Sequence, residues 1–424
     1  MNAELRERLR RLGLYKGAAG AQPKPVAPNR NTDAALEALD TPLGSAYRRQ
    51  HDYPLTHRHG ARALGDALRL SPEQLTSVTG RDIPALSQAV FLDLETTGLS
   101  NAAGTLAFLV GLGYVEGERF VVEQFFLRDP AEEAAMLFAV QRRLRWHPIV
   151  VSFNGQAFDL PLLEARFTLA RLDSPLGEGQ HLDLLTPARR LWRAMLGSCS
   201  LSALEFHLLG VRRTQRDVPG AVIPFLYREY LAGGGVLTEG MARVMYHNMT
   251  DILSMVALAG RLAEAVAQPS NAAEYYAAGR YHERLGNLEA AERCYRAALS
   301  QAHDERANPN LRLALLRRLA RLLKRRHALA EATELWQRLA DQDDVEGLVE
   351  LAKHHEWRTG DPGRALAYAR RARLINTDPA LGEALDHRIA RLTRKQQLTT
   401  IGDPTTDRHP STKSARSSRP DRQA

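Results

Sequence analysis

The chain has 424 residues, and at roughly 150 residues per domain this length favours two or three domains. Hydrophobic residues at 44% and charged residues at 25% exclude a wholly disordered or fibrous chain. Cys199 and Cys294 lie far apart and match no zinc spacing, so we expect neither a disulfide framework nor a structural zinc site. The net charge of +8 favours a polyanionic partner such as nucleic acid.

Membrane insertion is not expected from the hydropathy pattern. The longest nearly apolar run, Thr105–Val115, is about half of the ~20 residues that cross a bilayer. The segment MNAELRERLRRLG has no apolar signal-peptide centre. We therefore expect a cytoplasmic protein with no membrane partner.

Residues 1–85 predict an N-terminal extension. A short basic amphipathic helix is followed by a Pro-, Ala- and Asn-rich stretch that is typical of a linker. The polar segment GSAYRRQHDYPLTHRHGARAL then contains His51, His57 and His59. Their spacing matches no recurrent zinc pattern, so we expect surface or local packing roles for these histidines.

From Gln88 to about Val266 the pattern alternates between strands and helices. The run QAVFLDLET predicts a buried central strand that ends in carboxylates. Two antiparallel strands, LAFLVGLGYV and ERFVVEQFFL, are predicted on either side of a turn at Glu116-Gly117. A helix beginning near Pro130, the strand PIVVSFN and the helix DLPLLEARFTLARL follow. The order β-β-β-α-β-α predicts an α/β fold with a mixed sheet.

From about Asn271 the strand pattern disappears. Small and aromatic residues in AEYYAAGRYHERLGNLEAAERCYRAAL are spaced so as to pair two antiparallel helices, which resembles a tetratricopeptide unit. A second unit, LRRLARLLKRRHALAEATELWQRLA, and a weaker third one follow, and consecutive units can bury the apolar faces that one unit leaves exposed. A generic helical bundle is the alternative. The last stretch is poor in apolar residues and is predicted to be disordered.

Three carboxylate motifs lie in the α/β segment. Asp93 and Glu95 are two residues apart on a strand and therefore project to the same face. Asp159 opens a helix after the turn NGQAFD, and Asp251 ends the motif YHNMTD. Taken singly, each motif has a structural explanation, such as an aspartate at a helix N-terminus.

If these four carboxylates converge, they require cations. Like charges about 4 Å apart repel by several kcal/mol per pair at an effective dielectric constant near 20. Oxygen ligands without cysteine suit Mg²⁺ or Mn²⁺. Two such ions about 3.5 to 4 Å apart are the arrangement that supports phosphodiester hydrolysis.

Taken together, the motifs resemble the DEDD 3′–5′ exonuclease superfamily on the ribonuclease H-like fold. The run FLDLETTGL is close to the first motif of that family, NGQAFD fits the second, and the order and spacing of all three agree. With the stretch DVPGAVIPFLYREYL and the repeats, the chain resembles a group of bacterial ribonuclease H-like predicted exonucleases. The resemblance implies that two Mg²⁺ or Mn²⁺ ions are held by Asp93, Glu95, Asp159 and Asp251.

The general base departs from the family pattern. One branch of the family has His five positions before the last Asp and the other has Tyr four positions before it. Here Tyr246 is five and His247 four positions before Asp251. Positions i and i+4 share a helix face, and an imidazole pKa near 6.5 suits proton abstraction at neutral pH better than a phenol pKa near 10. We expect His247 to be the base, with Tyr246 as the alternative.

Further polar residues are weaker candidates. Thr96, Thr97 and Leu99 resemble the positions that meet the terminal nucleotide in the family, although turn residues would show the same pattern. Asp183 is a rival metal ligand that lacks the preceding Asn/aromatic frame. A basic loop that either holds phosphates or is simply solvated contains Arg212, Arg213 and Arg216.

Four segments are predicted. Residues 1–85 form the N-terminal extension with its linker, 86–268 the ribonuclease H-like exonuclease domain, 269–396 the tetratricopeptide-like repeats and 397–424 a disordered tail. The expected function is exonuclease action on single-stranded or frayed DNA or RNA, because a terminal base must leave its partner to enter such a site. The alternative is a scaffold whose repeats bind a protein partner and whose ribonuclease H-like domain is weakly active or inactive.

Overall fold

The computed structural model describes residues 36–98, 104–177, 179–213, 218–302 and 309–401. It divides into two compact units, residues 1–294 and 295–424. The predicted N-terminal helix and linker, Leu99, Arg216 and nearly all of the predicted tail lie outside the described residues. The division places the helix Ala272–Arg284 with the first unit, whereas the sequence pattern groups it with the repeats.

The first unit is built on a seven-stranded sheet of order β1-β2-β7-β6-β5-β8-β9. Its strands are β1 Glu37–Thr41, β2 Gly44–Pro54, β5 Ala89–Thr96, β6 Ala107–Glu116, β7 Arg119–Phe126, β8 Ile149–Ser152 and β9 Gln180–Asp183, and a separate pair is formed by β3 Arg58–His59 and β4 Arg62–Ala63. Strand β5 pairs antiparallel with β6 and parallel with β8. The predicted mixed α/β sheet is therefore confirmed, as is the β6-β7 hairpin.

The two outer strands β1 and β2 come from the segment that the sequence pattern assigns to the extension. Strand β2 pairs antiparallel with β7, from Arg48 opposite Phe125 to Pro54 opposite Arg119. Most side chains of β2 are polar and partly exposed, so the strand lacks the apolar alternation that marks a half-buried strand. Strand β2 is therefore held in the sheet by its backbone pairing with β7. Its side-chain pattern gives little indication of a strand.

Among the described residues, nine α-helices lie wholly within the first unit. They are α1 Leu64–Leu68, α2 Pro72–Thr79, α3 Glu133–Leu144, α4 Asp159–Leu169, α5 Leu185–Leu196, α6 Leu201–Leu204, α7 Ile223–Ala232, α8 Glu239–Ala267 and α9 Ala272–Arg284. A π-helical turn, Glu205–Leu209, continues α6. Two buried apolar clusters cover the sheet: Phe91 belongs to one, Val90 and Leu92 to the other, as expected for alternate residues of a strand.

The longest helix of this unit is α8, with 29 residues. The hydroxyl of Thr238 caps its N-terminus by accepting from the amide of Met241 at 3.3 Å. The helix contacts β5, β6 and β7. It therefore brings its side chains over the centre of the sheet.

Helix α10, Leu288–Gln301, contains the boundary between the two units. In the second unit α11 Pro309–Arg325, α12 Leu329–Ala340, α13 Val345–His354, α14 Pro362–Ile375 and α15 Pro379–Ile401 pack in sequence on one another. Close helix contact is visible at Gly347, where an added Cβ would lie 2.5 Å from Leu339 Cβ. The predicted all-α region is confirmed, while its assignment to tetratricopeptide-like repeats stays a prediction. Within the described ranges, every helix is too short or too polar to cross a membrane.

Candidate active site

Asp93 is held by hydrogen bonds from helix α8. The side-chain amide of Asn248 donates to Asp93 Oδ2 at 2.8 Å and to the Asp93 carbonyl at 3.1 Å. Glu95 lies two residues further along β5, where the pairing with β6 shifts register between Glu95 and Thr96. Only 7% of Glu95 is exposed. The end of β5 therefore places one buried carboxylate, Glu95, and one half-buried carboxylate, Asp93, beside α8.

Asn248 is itself fixed from the neighbouring strands. Gln124 Nε2 on β7 donates to Asn248 Oδ1 and to the Met245 carbonyl, both at 2.8 Å. Gly111 on β6 stands opposite Asp93, and a Cβ added there would lie 2.3 Å from Asn248 Oδ1. Sequence reasoning missed this role, although the place of Asn248 inside YHNMTD was a signal that could have found it.

We expect Gly111→Ala to destabilise the protein by about 1 to 3 kcal/mol, the usual cost of overpacking a buried site. The new methyl group would meet Asn248 Oδ1 at 2.3 Å and Ile252 Cδ1 at 2.6 Å. Denaturant unfolding measures the change in the free energy of unfolding. Gly220→Ala is the matched control, because an added Cβ there has nothing within 4 Å. Equal stability of the two variants would contradict the tight packing of Asn248.

Asp159 is the first residue of α4 and is 8% exposed. Burial, and then the charge of Asp183, raise the pKa of Asp159 to about 7. The preceding turn passes close to this carboxylate, since a Cβ added at Gly155 would lie 3.1 Å from Asp159 Oδ2 and 2.4 Å from Ser152 Oγ. Asn154 begins the turn with φ at 69°, a left-handed conformation that asparagine tolerates.

Asp183, the rival ligand, holds the turn that precedes Asp159. Its carboxylate accepts from the backbone amides of Asn154 at 2.9 Å, Gln156 at 3.3 Å and Leu185 at 2.9 Å. Three backbone donors use much of the hydrogen-bonding capacity of one carboxylate. The observed geometry therefore gives Asp183 a positioning role beside Asp159.

The predicted base and the last aspartate lie on one face of α8. Because α8 begins at Glu239, the helix is established before Tyr246, His247 and Asp251. His247 Nε2 is 3.6 Å from Asp251 Oδ2. The hydroxyl of Thr250 donates to the carbonyl of Tyr246 at 2.7 Å, so the backbone at Tyr246 is helical as well. His247 and Asp251 therefore lie one helical turn apart on α8, as their spacing of four residues predicts.

Arg213 occupies the space between these groups. It donates two hydrogen bonds to Glu205, both at 2.8 Å, and one to Asp251 Oδ1 at 2.5 Å. Its Nη1 also lies 2.6 Å from His247 Nδ1. A guanidinium has no acceptor, so His247 Nδ1 accepts and a neutral ring carries its proton on Nε2. Of the predicted basic loop, Arg213 thus reaches the site with 9% of its side chain exposed, while Arg212 is exposed.

A buried polar chain continues from Arg213. Glu205, 2% exposed, accepts from Ser254 Oγ at 2.6 Å, and that hydroxyl is 2.7 Å from His59 Nε2. Burial, followed by the positive charges of His57 and Arg213, lowers the pKa of His59 to about 4. His59 is therefore neutral at pH 7 and serves as a hydrogen-bonding group in this chain.

The threonines after Glu95 bond to their own loop. Thr96 Oγ1 donates to the Gly98 carbonyl at 2.6 Å, and Thr97 Oγ1 accepts from the Leu106 amide at 2.9 Å. These contacts stabilise the local turn. The predicted nucleotide contacts of Thr96 and Thr97 stay predictions.

The four predicted metal ligands, Asp93, Glu95, Asp159 and Asp251, are called the carboxylate cluster below. Burial raises the pKa of Asp93 well above its usual range, and the charges of Asp251, Glu95 and Asp159 raise it further, in that order. His247 acts in the opposite direction on the pKa of Asp93. Carboxylates from β5, α4 and α8 therefore all act on Asp93.

The donor chemistry of the cluster fits a hard divalent cation, because the ligands are carboxylate oxygens and their mutual repulsion is relieved by positive charge. Within the part of the chain that the structure describes, no three His, Cys, Asp or Glu side chains stand close enough together to hold one metal ion. Asp251 is instead paired with Arg213. An ion at Asp251 would have to compete with this guanidinium.

Comparison with known proteins identifies the domain that carries the cluster. Residues 90–263 match the family model described as the RNase H superfamily. A Bacillus subtilis (strain 168) protein described as uncharacterized protein YprB is 31% identical over 365 residues, which cover 82% of this chain and 85% of that protein. All members of the carboxylate cluster lie inside the matched range.

Proposed function

Since the chain belongs to the same family as that Bacillus subtilis protein and carries an RNase H superfamily domain, we propose that it is a metal-dependent 3′–5′ exonuclease. Its substrate is single-stranded or frayed DNA or RNA. The observation that carries the proposal is the hydrogen bond from Asn248 to Asp93 Oδ2, which holds the end of β5 against the helix that also carries Asp251. The charges of Asp251, Glu95 and Asp159, which raise the pKa of Asp93, agree with it. Bound divalent cations would offset the repulsion that these carboxylates exert on Asp93.

The carboxylate cluster would hold two Mg²⁺ or Mn²⁺ ions. Two bound divalent ions supply an activated water and stabilise the leaving oxygen of a phosphodiester. The protein contributes orientation: Asn248 holds Asp93, and Asp183 holds the turn before Asp159. Arg213 remains anchored by its two bonds to Glu205, so a guanidinium stays at the edge of the site, where it can bind a phosphate oxygen.

His247 is the proposed general base, and it needs a free ring nitrogen for this role. In the structure Nδ1 accepts from Arg213 and the protonated Nε2 lies toward Asp251. Release of Asp251 and His247 from Arg213 would free Nδ1. The same rearrangement therefore prepares both the ligand and the base.

We expect His247→Ala to lower the rate of hydrolysis by about 10² to 10⁴ fold, the usual range for general base catalysis. Tyr246→Phe removes only a hydroxyl and should be mild, which makes it the matched control on the adjacent position. Single-turnover rates across the pH range of imidazole titration are the measurement, and the wild-type rate should rise with pH. A larger loss of hydrolysis rate in Tyr246→Phe than in His247→Ala would identify Tyr246 as the base and contradict the role of His247.

The nuclease activity itself is tested with the purified full-length protein and single-stranded DNA and RNA carrying a label at the 5′ end. We expect products that shorten stepwise from the 3′ end and release nucleoside monophosphates with Mg²⁺ or Mn²⁺, and none with a chelator. A substrate with a blocked 3′ end checks the direction. Cleavage inside the blocked substrate would show that the protein is an endonuclease and would contradict the proposed exonuclease.

A scaffold with a weakly active or inactive domain is the second candidate. The observation that favours it is the position of Arg213. Its guanidinium pairs with the Asp251 carboxylate and donates to Nδ1 of His247, the ring nitrogen that a general base would need. In that case the helical region binds a protein partner. Absence of hydrolysis from every labelled DNA and RNA, with a folded protein and either ion, would support the scaffold and contradict the exonuclease.

A further inference from the structure

A cleft lined by arginines lies between helices α5 and α9, away from the carboxylate cluster. Its volume is about 330 Å³. We call it the arginine cleft, and its principal lining residues are Arg189, Arg190, Arg193, Arg280, Tyr281 and Arg284. The three arginines from α5 and Arg284 are exposed, and Arg280 is half-buried.

Buried contacts hold the two walls of the arginine cleft together. On the other face of α5, Trp192 is fully buried and donates its Nε1 to Glu274 Oε1 on α9 at 3.2 Å. Arg261 on α8 forms an ion pair with the same carboxylate. Glu274 therefore joins α5, α8 and α9, and the arginines are presented from a fixed frame.

The positive charge in the cleft is not neutralised by the protein. Within the described ranges, none of its five arginines forms an ion pair with a carboxylate. Arg190 instead lies over the ring of Tyr281, 5.9 Å from the centroid. The exposed Arg119 elsewhere in this unit, by contrast, does pair with a carboxylate, that of Asp52. The five guanidinium groups line one cleft, so an anion bound in it would be stabilised by their positive charge.

We propose that the arginine cleft binds the phosphate backbone of the nucleic-acid substrate, an inference that deepens the proposed function and rests on it. Guanidinium groups bind phosphate oxygens in a bidentate manner. Tyr281 is only 2% exposed, so its ring offers no face for base stacking. The cleft therefore recognises phosphates without reading the base sequence.

Helix α5, which forms one wall of the cleft, begins close to a residue that positions the carboxylate cluster. This helix begins two residues after Asp183, whose carboxylate holds the turn before Asp159. At 1.5 Å rise per residue, Arg189 and Arg193 lie about 6 and 12 Å along the helix from Leu185. The cleft arginines of α5 therefore follow along the helix from the end that lies next to Asp183.

The test compares two charge-reversed variants of the full chain. Arg193→Glu combined with Arg284→Glu changes the cleft, and Arg69→Glu combined with Arg142→Glu changes two exposed arginines elsewhere by the same net charge. Binding of a labelled single strand of about 20 nucleotides is measured by anisotropy in chelator at several salt concentrations. For the cleft variant we expect an affinity loss of about tenfold or more and a salt slope reduced by about 0.7 per lost phosphate contact.

Affinity and salt slope of the cleft variant equal to those of the control would overturn the inference. So would a polyglutamate peptide that competes for wild-type protein as well as an unlabelled oligonucleotide does, because the cleft would then bind acidic peptides. Impaired folding of the charge-reversed variant would be seen as a lower melting temperature than that of the control. In that case the single variants Arg193→Gln and Arg284→Gln are measured in the same assay instead.

The binding assay is independent of catalysis. A cleft-specific loss of binding in a protein that hydrolyses no substrate would contradict the proposed function and support the cleft. Hydrolysis with unchanged KM for both long and very short oligonucleotides in the cleft variant would support the function and contradict the cleft. We expect a raised KM for the long oligonucleotide only.

Discussion

Asp93→Asn and Asp159→Asn are each expected to abolish hydrolysis while the fold remains intact. Either change removes one of the proposed charged ligands from the carboxylate cluster and should therefore weaken divalent ion binding. Asparagine retains an oxygen that can accept the bond from Asn248 at position 93. The measurement is hydrolysis of labelled single strands together with circular dichroism. Substantial nuclease activity in both variants would contradict the assignment of the cluster.

The same variants should retain or gain thermal stability in chelator, because the remaining carboxylates repel one another less. The pKa of Asp159 is about 7 in the folded protein, above the ordinary value near 4. The folded state therefore binds more protons than the unfolded state between these values, and stability falls as pH rises from about 4 to about 7. Asp159→Asn removes this contribution.

Melting temperatures at several pH values in chelator measure the effect. The decline in stability from pH 4 to pH 7 should be smaller in Asp159→Asn than in the wild type. Asp40→Asn on the exposed edge strand is the control, and its decline should match that of the wild type. An unchanged decline in Asp159→Asn would show that this carboxyl does not titrate as described.

Arg213→Ala is expected to destabilise the protein by about 3 to 5 kcal/mol, the cost of removing one partner from a buried ion pair. Arg213 forms two bonds to Glu205, which is 2% exposed and would retain an uncompensated charge. Denaturant unfolding gives the free energy of unfolding. Since Arg212 is exposed, Arg212→Ala on the adjacent position should change stability by about 0.5 kcal/mol or less.

A double variant separates the ion pair from the rest of the side chain. Glu205→Gln combined with Arg213→Ala leaves no uncompensated charge at position 205, so it should lose less stability than the sum of the two single variants. The amide oxygen of the new glutamine can still accept from Ser254 Oγ. Strict additivity, or an Arg213→Ala variant as stable as Arg212→Ala, would mean that the pair contributes nothing to the fold.

The amino-acid sequence by itself determined the central sheet and the candidate ligands. Strand β5, the β6-β7 hairpin and the helices after Pro130 and at Asp159 follow from alternation and helix-start signals that extend over only a few residues. Asp93 and Glu95 share a face because alternate residues of a strand do. His247 and Asp251 share one because they are four residues apart on a helix.

Tertiary structure alone decided which distant residues meet. Asn248 bonds to Asp93 across 155 positions, and Arg213 reaches Asp251 across 38. Periodicity indicates which face of an element is buried, but it carries no information about the residue that the face will contact. Polar side chains make this harder, because the same arginine or asparagine is stable in solvent and in a paired buried site. For that reason the partners of Arg213, the role of Asn248 and the strand β2 became recognisable only in the folded protein.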